Sequence, residues 1–96
     1  MFFLIVGAVL LCAAVVVVVI RWNDIVAYLR NARMSNETLA ELVRERMANG
    51  KVVIDGSVFA DTRYAVRRPV ARWEGTETDA ELNAALGRRD QVTVKL

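Results

Sequence analysis

From Phe2 to Ile20 the chain holds no charged side chain and no amide, and this run constrains the fold more than any other feature. As a helix rising 1.5 Å per residue it would extend about 28 Å, close to the hydrocarbon thickness of a bilayer. Gly7 is the only glycine in it, and lipid-embedded helices tolerate glycine. A cleaved signal needs a basic start, a shorter apolar core and a small-residue cleavage site, and no Lys or Arg precedes this run. Ala13-Ala14 resembles such a site, but Val15 to Val19 carry the apolar stretch beyond it. Leu11 stands before Cys12 where a lipoprotein signal requires a small residue. The sequence therefore predicts a single N-terminal transmembrane α-helix followed by a small α+β domain, divided into 1–33 and 34–96.

The flanking charge predicts the orientation. Arg21, Arg30 and Arg33 follow the run and no basic side chain precedes it, so the positive-inside bias places the amino terminus outside and the domain in the cytoplasm. Arg21 and Trp22 are then the membrane-interface residues, the indole lying at headgroup level. Beyond them Ile25, Val26 and Leu29 share one helical face, while Asp24, Arg30 and Arg33 are polar. With no Pro or Gly between, one helix is expected from about Phe2 to about Ala32. Its apolar face outside the bilayer must be covered by the headgroup layer, the rest of the chain or a partner, which makes Ile25, Val26 and Leu29 a candidate contact.

The rest of the chain reads as helix, strands, helix, strand. Ser35-Asn36 is a capping signal, and Leu39, Leu42, Val43 and Met47 form a helical stripe ended by Asn49-Gly50. Lys51–Ile54 reads as a strand, Asp55-Gly56 as a hairpin turn, and Val58-Phe59 as its return. Tyr64, Val66, Val70 and Trp73 suggest a third extended stretch, which Pro69 confines to a sheet edge or breaks. Thr78 and Glu81 have capping-box spacing ahead of Leu82, Ala85 and Leu86, with Gly87 as the stop. Val92, Val94 and Leu96 alternate with Gln91, Thr93 and Lys95, the pattern of a half-buried strand. The expected core is Leu39, Leu42, Val43, Ile54, Phe59, Trp73, Leu82, Leu86 and Val94.

The chemistry-bearing residues are few. The chain has no His and a single Cys, Cys12, which argues against Cys/His zinc sites, His-based triads and an intrachain disulfide. Its glycines form no phosphate-binding loop, and Asp55 and Asp61 read as turn formers. No catalytic, cofactor-binding or metal-ligating residue is expected, and the chain does not read as an enzyme. Arg63, Arg67, Arg68 and Arg72 form the one polar cluster suited to an anion or an acidic partner. The plainer reading is a solvated edge strand whose arginines pair with Glu74, Glu77 or Glu81. A net charge of +2 is too small to argue for nucleic acid.

The expected function is that of a non-catalytic accessory or assembly subunit, or an adaptor, of a larger membrane complex. Its partners would be membrane lipid and other membrane protein subunits, with a homo-oligomer also allowed. One alternative is a regulator that binds anionic lipid or nucleic acid through the arginine cluster. Another is an envelope or pilin-like structural subunit. An apolar amino-terminal helix leading into a small sheet is similar to type IV pilin-like subunits in architecture, although this run lacks their acidic residue and processing signal.

Overall fold

The computed structural model describes residues 13–63 and 65–96, and within them the apolar run is not a helix. Ala13–Val16 is a strand, β1, and Val19–Ile20 is a second, β2; the first described helix, α1, begins only at Trp22 and ends at Ala32. Among the described residues no helix is long and apolar enough to cross a membrane. The predicted single-pass span is therefore corrected, as are the outside-to-cytoplasm orientation and the membrane localisation built on it. Phe2 to Cys12, with Gly7, lie outside the described residues.

The physical reason lies in the composition of the run. Consecutive valines have stiff, β-branched side chains that fit a pleated surface better than a helix. A continuous apolar run is also what a strand beside a parallel neighbour looks like, so length and hydropathy alone do not separate the two. Here β1 pairs in parallel with β5 (Arg68–Gly75), in register from Ala13 opposite Ala71 to Val16 opposite Glu74. β2 pairs in parallel with β6 (Glu77–Thr78). That second pairing draws Ile20 into the core, where it is fully buried.

The main sheet has the order β1-β5-β4-β3-β7, with β3 at Leu39–Arg46, β4 at Val52–Phe59 and β7 at Gln91–Lys95. The helix expected from the Leu39–Met47 stripe is strand β3, which corrects the fold class towards a mostly-sheet domain. Its Ala40 and Leu42 are buried on one side, the two-residue period overriding the favourable helix propensity of Leu, Glu and Arg. Asn49-Gly50 does not stop a helix but turns β3 into β4. Gly50 has φ +85°, Met47 N–H donates to the Lys51 carbonyl, and Lys51 N–H donates to Asn49 Oδ1. Asp55-Gly56, expected as a turn, lies inside β4.

Pro69 sits in β5 opposite Ser57, at a bulge between Gly56 and Ser57. Since β1 reaches only from Ala71 to Glu74, Pro69 leaves no ladder bond unmade on that side. β5 leads through β6 to helix α2 (Ala80–Leu86), a 3₁₀ turn at Gly87–Arg89 and β7.

Both helices cover the same face of the sheet. Ile25 and Leu29 of α1, with Leu82 and Leu86 of α2, are buried against Ala40, Leu42, Ile54, Val58, Ala71 and Trp73. Gly56 is required on this face, because a Cβ there would stand 2.8 Å from the Trp73 ring. Tyr28 meets Trp73 edge to face at 5.6 Å. Of the expected core, Leu42, Ile54, Phe59, Trp73, Leu82 and Leu86 are buried, whereas Leu39, Val43 and Val94 are half-buried.

Candidate functional site

The face of the sheet turned away from the helices carries most of the described polar side chains that contact one another across strands. Strand alternation places Leu39, Glu41, Val43 and Glu45 of β3 there, with Val53, Asp55, Ser57 and Phe59 of β4. Arg72 and Glu74 join them from β5, opposite Asp55 and Val53.

Charges of both signs cross the strands. Arg72 Nε donates to Asp55 Oδ1 at 2.7 Å, Lys51 Nζ donates to Glu74 Oε2 at 3.1 Å, and Arg67 Nε lies 2.9 Å from Glu41 Oε1. The Arg67 guanidinium also stands 4.6 Å above the Phe59 ring, which helps to bury that aromatic. Gln91 Nε2 of β7 donates to the same Glu41 carboxylate. Exposed pairs of this kind are each worth about 0–1 kcal/mol, so they define a surface pattern more than they hold the fold.

The four arginines singled out from the sequence are dispersed by this geometry. Arg67 and Arg72 lie on the open face, whereas the bulge beside Pro69 reverses the alternation and sends Arg68 to the helix side. There Arg68 binds Glu37 with both ends of its fork, Nε to Oε2 at 3.0 Å and Nη2 to Oε1 at 2.5 Å. Nη2 also donates to the Ala32 carbonyl at 3.1 Å, and Glu37 Oε1 accepts from Met34 N–H at 2.8 Å. Arg68 thus clamps the end of α1 and the following loop onto β5. Arg63 is exposed in the β4–β5 loop and likewise makes an interaction of its own.

The remaining sequence candidates also have intramolecular places. Ile25, Val26 and Leu29 are buried, and of the three covers expected for this α1 face it is the chain's own sheet that supplies it. Trp22 packs against the core, and its backbone N–H donates to both carboxylate oxygens of Asp79 at 3.2 Å. Arg21 is the exposed residue preceding α1.

Two polar clusters escaped the sequence reading. Asp79, not Thr78, caps α2 by accepting from Leu82 N–H at 3.0 Å, and by also taking Trp22 N–H it ties the starts of both helices together. Arg44, with a nearly buried side chain, contacts Asp90 Oδ1 at 2.6 Å and donates to Asn83 Oδ1 at 2.8 Å and the Gly87 carbonyl at 3.3 Å. Asp90 takes the left-handed conformation, φ +55°, that Asp tolerates better than most residues. The only signal for this cluster in the sequence was an arginine at an inward strand position.

Arg68 holds the Glu37 carboxyl below its ordinary value, chiefly through their hydrogen bonds. A lowered folded-state pKa stabilises the protein above the unfolded carboxylate value, and that stabilisation is lost as pH falls through the lowered value. Wild type should therefore be more stable than Glu37→Gln at neutral pH, with the gap closing below about pH 4. Urea titrations of both proteins across this range check it; a gap that widens on acidification would contradict the assignment.

No cluster of three or more His, Cys, Asp or Glu side chains suited to a metal occurs among the described residues. In comparison with known proteins, the chain matches no family model, no curated protein and no solved structure.

Proposed function

We propose that this chain is a non-catalytic protein-binding module, an adaptor or assembly subunit that presents to a partner protein the face of its sheet turned away from α1 and α2. The observation that carries this reading is the composition of that face. Half-exposed Leu39 and Val43 are interleaved with the Arg67–Glu41, Arg72–Asp55 and Lys51–Glu74 pairs. Such a mixture of apolar and two-signed polar groups complements a protein surface better than a polyanion, which calls for charge of one sign. Of the four arginines that suggested an anion-binding role, Arg67, Arg68 and Arg72 already hold carboxylates of the chain itself.

The test is site-specific photocrosslinking of the full chain in its host cells. A photoreactive residue at Glu45 or Ser57, on the open face, should yield the same discrete protein adduct from both positions. The residue placed at Asn31, exposed on α1, should not. Equal yields from Asn31, or nucleic acid as the dominant adduct of the open face, would overturn the proposal.

A further inference from the structure

The two ladder bonds flanking β7 fix which of its backbone groups face outward. Arg44 N–H donates to the Asp90 carbonyl and Leu96 N–H to the Thr38 carbonyl, each at 2.8 Å. These are hydrogen-bonded pairs of the antiparallel β3–β7 ladder, and such pairs alternate along it. Val92 and Val94 therefore spend their backbone groups on Leu42 and Ala40. The N–H and C=O groups of Gln91, Thr93 and Lys95 point away from β3, and β7 is the last strand of the described sheet. Nothing within the strand blunts it: it has no proline and no bulge, and Lys95 is its only charge.

We propose that this edge pairs with the same edge of a second copy of the chain, in an antiparallel arrangement about a two-fold axis at Thr93. The strand is self-complementary in that register. Thr93 faces Thr93, and Gln91 faces Lys95 in both directions, so each pair brings together outward-facing groups able to exchange two hydrogen bonds. On the helix side, half-buried Val92 of each copy falls opposite Val94 of the other as a non-hydrogen-bonded pair, where side chains approach closely. On the open side, Lys95 of each copy comes beside Gln91 of the other, which already binds Glu41. The ammonium thereby meets a carboxylate, and the charges complement across the axis. Two sheets joined by a short edge bury less than a standard interface, so the dimer exchanges with monomer and its population rises with concentration.

The backbone edge of β7 is distinct from the face assigned to a partner protein, with Glu41 at their border. Self-association of the purified chain is measured without that partner, so this inference and that proposal fail separately. Sedimentation velocity of the full chain over a hundredfold concentration range should show mass rising from monomer to dimer. Thr93→Pro removes an outward N–H and leaves the β3 ladder intact, while Lys95→Glu sets like charge beside Glu41 at a site exposed in the monomer. Each should weaken association at least tenfold with circular dichroism unchanged. A second measurement, hydrogen exchange at Thr93 in the wild-type chain, should show protection that grows with concentration. A wild-type chain monomeric throughout, Thr93 protection independent of concentration, or a dimer indifferent to both substitutions would overturn the inference.

Discussion

Trp73→Ala is expected to be the most damaging single substitution in the described sheet, costing about 3–5 kcal/mol. The indole is 3% exposed and stands at the junction of every layer of the fold. It faces Ile54 across β4, lies above the space left by Gly56, receives the Tyr28 ring from α1, and sits beside Val15 of β1. Truncation removes the surface on which α1 rests and opens a cavity bounded on one side by a glycine, which supplies no side chain to fill it. Against a typical domain stability of about 5–15 kcal/mol, such a loss consumes much of the margin of a chain this short. Urea denaturation followed by far-UV circular dichroism measures it, with loss of Tyr28 ring shifts in proton spectra as a local signature. A cost under about 1 kcal/mol would mean that the indole is not enclosed.

Gly75→Ala is the second large effect, and it arises from close approach. A Cβ at this position would lie 2.9 Å from the Val17 carbonyl oxygen, 3.0 Å from that of Val18 and 3.0 Å from Ile20 Cγ1. Two of these contacts are backbone, which cannot swing aside as the end of a side chain can. Thr76 N–H donates to the Val18 carbonyl at 3.0 Å, so displacing this segment also loosens the junction between β1 and β2. Overpacking of a fixed site costs about 1–3 kcal/mol. Gly50→Ala is the informative comparison: nothing lies within 4 Å of its Cβ, and only its positive φ resists substitution. Amide exchange separates the two, since Gly75→Ala should release Val17 and Thr76, whereas Gly50→Ala should act at the β3–β4 turn.

What the sequence disclosed was local patterning; what it concealed was the partner of each segment. Alternation at Gln91–Leu96 identified β7, and the spacing of Leu82 and Leu86 before Gly87 identified α2, because each signal is complete within a few residues. Neither Gly-containing signal has its expected role, Asn49-Gly50 as a helix stop or Asp55-Gly56 as a hairpin turn. Asn49-Gly50 turns the hairpin, and Asp55-Gly56 lies mid-strand because Trp73 needs the space, a fact visible only once β5 is in place. The apolar run misled for the same reason. Its length matched a bilayer, while the parallel pairing that uses Ala13–Val16 joins it to residues almost sixty positions away.

The candidate surface was less legible still. Four arginines close in sequence suggested one patch, but a bulge at Val70, beside Pro69, places Arg68 on the helix side, and each of Arg67, Arg68 and Arg72 is held by its own carboxylate. The apolar face of Ile25, Val26 and Leu29 was correctly seen as needing cover. That its cover is the chain's own sheet could not be inferred while β3 was read as a helix.

The account turns on the described part of the apolar run, from Ala13 to Ile20, forming the sheet strands β1 and β2, with α1 starting at Trp22. Backbone assignment of the isotopically labelled full chain tests this directly. Ala13–Val16 should show strand-type Cα and Cβ shifts with contacts to Ala71–Glu74 in parallel register, and helical shifts should begin at Trp22. Uninterrupted helical shifts from Ala13 to Ala32, without contacts to β5, would contradict it.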